Sequence, residues 1–419
     1  MKSLNPKNTK SFIVALCSIV YFVSYFSRKD FAAVMAGMIS DAVIDKVDGG
    51  FIGMGLFICY GVGQLISGWL GDKIKPSYLI LFGLSTTAIC NLLMPIIPGG
   101  HAMIPVWAVN GFAQAMLWPP IVRILSDNLE HESFVKANLI VTSAAHVATI
   151  LLYLYVPVCL EFFDWKTVFF SATALALVAM AIFILSLVMI LPSDTVKSPI
   201  KKIKSTDIKG ATVSYPKLII RAGLIPIFAC IIMMGFLRDG IESWLPTLYS
   251  EAFERDASES ILVSVSLPIF SILSLMIITA LYKTKLFKNE ALGSFILFIA
   301  VTLLSVPMAI LITSKAFASR IICLIIACTI CACMHGCNFL LISCLPGRFS
   351  KRGKAATTSG FCNAFVYVGA AVSMYGMAII SEKLGWRATI LSWLVVGALG
   401  ALFTAISYKS YTKFINEEN

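Results

Sequence analysis

The chain has 419 residues, 58% of them hydrophobic and only 13% charged, with a mean hydropathy of +0.88. Soluble domains carry about 25% charged residues. A chain this apolar cannot cover its own surface, which argues against a soluble enzyme or binding module, and the net charge of +11 has no soluble fold on which to present a nucleic-acid footprint.

A helix needs about 20 mostly apolar residues to cross a bilayer, and twelve such segments can be placed. The first, 11–39, runs through Arg28 without a small-residue cleavage site, so it reads as a retained span rather than a secretion signal. Spans two to six follow at 51–71, 77–97, 102–125, 135–160 and 167–191. The longest polar interruption is the lysine-rich stretch 192–217. Beyond it lie 218–249, 258–282, 291–313, 319–344, 355–380 and 386–410. The expected organisation is an amino-terminal six-helix bundle (1–191), a basic linker (192–217) and a carboxy-terminal six-helix bundle (218–419). Cationic residues in the gaps split 23 to 7 between alternating sides, with Arg28, Lys29 and Arg238 inside spans. That asymmetry puts both termini in the cytoplasm of an inner-membrane protein. An all-α membrane protein with two pseudo-symmetric six-helix bundles and a basic central loop is the layout of the major facilitator fold, with substrate at the midplane between the halves.

Ionisable residues deep in a span are expensive, about 2.5 to 3.5 kcal/mol for a central arginine on insertion scales. Arg28 follows Tyr21 and Tyr25 in span one, and Arg238 opens Arg238-Asp239-Gly-Ile-Glu242-Ser-Trp244 in span seven. These are the first helices of the two halves, so a two-fold repeat would set the two guanidiniums at matching places across a cavity. Guanidinium makes planar, two-pronged contacts with phosphate and cannot lose its charge. The competing reading is local pairing. Asp239 is adjacent to Arg238 and Asp30 close to Arg28, but neighbours that near on a helix do not face each other. Glu242, four residues on, has the spacing for an internal pair with Arg238. Lys29 reads as a packing or gating charge paired across spans.

His146 in span five has the chemistry to bind phosphate, carry a proton, or bond between helices, and His335 in span ten is similar. Tyr21, Tyr25, Tyr60, Trp118 and Tyr367 offer a ring or hydroxyl to a ligand, with packing as the alternative. Cys328, Cys331, Cys333 and Cys337 point around a helix axis rather than at one metal, so they read as packing residues. No metal or cofactor is expected, and there is no glycine-rich phosphate loop to suggest an enzyme.

Taken together these residues resemble the organophosphate:phosphate antiporter family, whose members exchange glycerol 3-phosphate or hexose 6-phosphate for inorganic phosphate. The matching pieces are Tyr25-Phe-Ser-Arg28-Lys29, Tyr60-Gly and Gly111-Phe-Ala-Gln-Ala-Met-Leu-Trp118-Pro119-Pro120. They continue with Ala145-His146, Asp164-Trp165, Leu237-Arg238 through Trp244-Leu-Pro246-Thr247, and Gly360-Phe-Cys-Asn-Ala-Phe-Val-Tyr367. The resemblance implies that Arg28 and Arg238 clamp phosphate, that Tyr21, Tyr25, Tyr60, His146 and Tyr367 line the cavity, and that the halves rock in alternating access. Gly68-Trp-Leu-Gly-Asp72-Lys73 resembles the superfamily's gating loop. Departures mark a divergent member. Gln64 stands where the family carries a lysine, Gly235 where it has a tyrosine, and no carboxylate appears near Leu267-Pro268. The implied partners are a small phosphate ester, inorganic phosphate and the lipid bilayer, with the protein a monomer. A proton-coupled carrier of another small anion, which Gln64 and His146 would suit, and a transport-fold sensor of phosphate esters are the alternatives.

Overall fold

A computed structural model describes residues 6–71, 74–189, 215–284, 286–352 and 354–418. Regular structure among them is helical throughout, as lipid requires of a chain whose backbone groups must be satisfied internally. The α-helices are α1 (Pro6–Ser40), α2 (Lys46–Gly71), α3 (Pro76–Leu93), α4 (Met103–Ala115), α5 (Trp118–Asn128), α6 (His131–Phe162) and α7 (Trp165–Met189). They continue as α8 (Tyr215–Arg221), α9 (Leu224–Phe253), α10 (Ala257–Ser264), α11 (Ser266–Leu281), α12 (Glu290–Leu311), α13 (Phe317–Asn338) and α14 (Ala355–Glu418). A π-turn, Phe339–Cys344, extends α13.

Ten of the described helical segments are long and apolar enough to span a membrane. Two features bring that number to twelve crossings. α14 is two spans joined at Gly385, whose φ of 80° lies in the left-handed region that favours glycine. The fourth span, expected as continuous over 102–125, is broken into α4 and α5 at Met116–Leu117. The break comes just before Trp118-Pro119-Pro120: two consecutive residues there lack an N–H, which removes donors that would have continued the helix.

The chain divides into two compact units, Met1–Lys202 with Asp256–Pro268, and Ile203–Arg255 with Ile269–Asn419. Of the expected linker, 192–214 lies outside the described residues, and α8 follows it. In the first unit α1, α3, α5, α6 and α7 close around Ile13, Val20, Leu84, Leu117, Ile121, Val141 and Phe183, all buried. In the second, α9 crosses α14 with backbones almost touching. A Cβ on Gly235 would lie 2.2 Å from the Val366 carbonyl oxygen, and one on Gly369 would lie 2.0 Å from that of Ile232. Small residues at such a crossing are how membrane helices pack when no hydrophobic drive separates them from lipid. Gly235 is therefore a contact point between helices, and a tyrosine there would drive α9 off α14.

Candidate functional site: two guanidiniums with aromatic and carboxylate surrounds

In the first unit the site is built on one face of α1. Tyr21, Tyr25 and Arg28 recur at the i, i+4, i+7 spacing that aligns side chains along a helix. The Arg28 guanidinium lies 4.2 Å from the centroid of the Tyr25 ring and 4.9 Å from that of Tyr60 on α2. Tyr21 meets Tyr25 edge-on at 5.0 Å and packs on Trp118, at the start of α5, at 4.6 Å. Rings hold a guanidinium through their quadrupole, and the contact strengthens when water is removed. The backbone beside Arg28 is anchored too: the buried amides of Asn91 on α3 and Asn110 on α4 each donate to the Ser27 carbonyl at 3.2 Å. Neither asparagine carried a signal at the level of sequence beyond being polar inside a span.

Gln64 lies one turn beyond Tyr60 on α2, and its Nε2 donates to the Ala115 carbonyl at 3.4 Å. That carbonyl ends α4 and would normally receive the N–H of residue 119, which is proline. The residue that stands in for the family lysine therefore fills a donor vacancy left by the Trp-Pro-Pro break. His146, half-buried on α6, donates from Nδ1 to the Thr142 carbonyl of its own helix at 3.1 Å, which fixes its tautomer. Lys29 and Asp30 are buried in the first unit. Asp72 and Lys73, expected in the gating loop, lie outside the described residues.

The second unit gathers Arg238, Asp239 and Glu242 from α9, Asn338, His335 and Cys331 from α13, and Tyr367 from α14. Arg238 donates from Nη2 to the Asp239 carboxylate at 2.8 Å and from Nη1 to Asn338 Oδ1 at 2.6 Å. This corrects the sequence expectation that neighbours in a helix stay apart: the long arginine arm bends sideways to reach the next residue. Glu242, expected to pair with Arg238 by spacing, lies within electrostatic reach of it and also takes His335 Nε2 at 2.7 Å, with Cys331 Sγ at 3.8 Å from the same oxygen. Tyr367 lies within electrostatic reach of Arg238. The donor atoms of Glu242, Cys331 and His335 lie within 4.8 Å of one another. A dication there would sit one helical turn from the Arg238 guanidinium, and that repulsion in a low-dielectric setting disfavours it. The trio is a hydrogen-bonded carboxylate–imidazole pair with a thiol donating to it.

Twelve apolar crossings among the described residues make this a multi-pass membrane protein. The chain belongs to the major facilitator superfamily, whose family profile, Major Facilitator Superfamily, matches residues 17–373. It is similar to the probable hexose phosphate transport protein of Chlamydia trachomatis serovar D, 35% identical over 106 residues, which are 25% of this chain and 23% of that one. The match thus spans under a quarter of that relative. It is also similar to the glycerol-3-phosphate transporter of Bacillus subtilis strain 168, 22% identical over 413 residues, 94% of this chain and 90% of that one. The fold matches the crystal structure of a bacterial homologue of the human lysosomal transporter Spinster, with a TM-score of 0.77 at 12% identity over 97% of this chain and 98% of that one. The protein is thus a superfamily transporter related to carriers of phosphate esters.

Proposed function

We propose that the protein exchanges a small organophosphate, glycerol 3-phosphate or a sugar phosphate, for inorganic phosphate by rocker-switch alternating access in the inner membrane, with both termini cytoplasmic. The observation that carries this is the pair of guanidiniums on the opening helices of the two halves. Arg238 keeps 12% of its side-chain surface exposed, and Arg28 is half-buried against the rings of Tyr25 and Tyr60. Two non-titrating forks suit a phosphate dianion, and the Chlamydia trachomatis and Bacillus subtilis relatives are named for hexose phosphate and glycerol 3-phosphate transport. Arg28 and Arg238 are the proposed phosphate ligands. Tyr21, Tyr25, Tyr60, Gln64, Trp118, His146, His335 and Tyr367 are the proposed lining, with Asp72, Lys73, Lys29 and Glu242 in gating.

The test is counterflow in proteoliposomes loaded with phosphate, with labelled phosphate outside and glycerol 3-phosphate, glucose 6-phosphate and 3-phosphoglycerate as competitors. Exchange blocked by one ester and lost in Arg28→Ala is the expected result. No exchange by folded protein would sink the reading and move it towards a sensor or another anion.

Gln64→Lys gives a second check. The ammonium can still donate to the Ala115 carbonyl while adding a charge near Arg28 and Tyr60. Phosphate should bind about tenfold tighter at low salt, with the gain shrinking at high salt as screening sets in. Equilibrium binding at two ionic strengths reads this, and unchanged or weaker affinity counts against Gln64 as a lining residue.

A further inference from the structure

We propose that Glu242 and His335 together form a proton-binding site linked to the anion at Arg238, so that each anion is carried with a proton. The inference rests on the anion-binding reading above and adds the coupling ion to it.

It begins from the charges that α9 and α13 bring together. Arg238 and Asp239 are 2.8 Å apart and cancel. Glu242 then adds a second carboxylate one turn along α9, met by His335 at 2.7 Å. Among the described residues, Tyr249 and Glu251 lie further along α9, with Glu251 accepting from Trp386 Nε1 at 2.9 Å, Arg320 lies near the start of α13, and Glu382, Lys383 and Arg387 lie on α14 around Gly385. Cys331 lies on α13 beside Glu242, with Cys328, Cys333 and Cys337 on the same helix, and Cys344 follows in the π-turn. Cys230 lies earlier on α9. Cys362, Tyr367 and Tyr375 lie on the adjoining stretch of α14. These are thiols and phenols rather than carboxylates or amines. α12 carries a single ionisable residue, Glu290, at its first position, where Arg348 takes it at 2.9 Å. On α8, Arg221 is engaged by Glu417 at 2.6 Å, and Lys217 lies one turn before it.

With His335 neutral, the set of Arg238, Asp239, Glu242 and His335 carries one net negative charge beside the guanidinium that is to receive an anion. With one proton on the pair it carries none. At these separations in a water-poor site, that single charge decides whether the anion is repelled. Glu242 and His335 keep 17% and 20% of their side-chain surface exposed, so water can deliver the proton. Linkage is reciprocal: a proton on the pair tightens the anion, and the anion draws the proton in by the same factor. Affinity is then highest below the pKa of the anion-free pair and falls as pH rises above it. Exchange of two anions stays possible, each accompanied by its proton.

The experiment is calorimetric titration of full-length protein in lipid nanodiscs with inorganic phosphate, between pH 5.5 and 7.5, in two buffers of different ionisation enthalpy. The wild type, Glu242→Gln and His335→Gln are compared, so phosphate's own ionisation is common to all three. A one-proton linkage changes affinity by about tenfold per pH unit within its window. The expected result is a ratio of Kd at pH 7.5 to that at pH 5.5 at least about tenfold larger in the wild type than in either variant, with one proton fewer taken up by the variants. If one variant fails to fold, the other carries the comparison. Variants that bind phosphate with the wild-type pH profile and proton uptake overturn the linkage and leave the anion reading intact. Absence of phosphate binding by folded wild type removes the anion reading, and this inference with it.

Discussion

Arg238→Ala should lower thermal stability and weaken phosphate binding together, and a second substitution should separate the two effects. Arg238 and Asp239 keep only 12% and 9% of their side-chain surface exposed. Removing one partner of a buried ion pair leaves an uncompensated charge and costs about 3–5 kcal/mol. Arg238→Ala therefore destabilises through Asp239, whatever Arg238 does for substrate. In Arg238→Ala/Asp239→Asn the orphaned carboxylate becomes a neutral amide, and most of the lost stability should return. Phosphate binding should not return. Truncating a buried charge that meets an opposite charge costs about 2–5 kcal/mol, which is on the order of 100-fold or more in Kd. Arg238→Lys should fall between, because one ammonium on a flexible stem does not reproduce a planar fork that engages Asn338 and Asp239 at once. Melting temperature and phosphate Kd on the same preparations read both effects. Recovery of binding together with stability in the double variant would reduce Arg238 to a structural ion pair.

The same residue shows where sequence reasoning reached and where it stopped. The spans were legible because lipid leaves a chain little choice but helix, so hydropathy and length place each crossing. The break in the fourth span was written in Pro119 and Pro120, yet a hydropathy window runs straight over it, because proline interrupts hydrogen bonding rather than apolarity. Arg28 and Arg238 stood out because charge inside a membrane is costly. Their surroundings were legible in part: Tyr21, Tyr25, Tyr60, Trp118, His335 and Tyr367 were candidates, whereas Asn338 and Cys331 were not. Asn338, His335 and Cys331 reach the site from α13, close to a hundred positions from Arg238, and no local period links them. The i, i+4 rule pointed Glu242 at Arg238, and tertiary packing added His335 at 2.7 Å, a partner that no spacing in the sequence indicates. Gly235 read as a missing cavity tyrosine, when it is the place where α9 and α14 meet backbone to backbone.

Glu290 is the other residue whose replacement should have a large effect, and it was not among the candidates. It sits at the first position of α12 with no side-chain exposure. Tyr282 Oη donates to Oε1 at 2.8 Å, Arg348 Nε to the same oxygen at 2.9 Å, and Tyr411 Oη to Oε2 at 3.1 Å. Arg348 also donates to the Lys288 carbonyl at 2.8 Å. Asn289 caps the helix, accepting from the N–H groups of Ala291 and Leu292, and the positive end of the helix dipole favours a carboxylate in that first turn. One side chain thus ties together the α11–α12 connection, the segment after α13 and the end of α14. Glu290→Ala strands the guanidinium and two phenols, and about 3–5 kcal/mol should be lost, a fall in melting temperature on the order of 10 °C for a unit of this size. Arg348→Ala should do comparable damage, since it strands a carboxylate that no water reaches. Glu290→Ala/Arg348→Ala should then be less costly than the sum of the singles, by at least about 1 kcal/mol, because residues sharing one network do not add. Strict additivity would mean that the two charges stabilise the unit independently and that the buried pair is not what holds this end of it together.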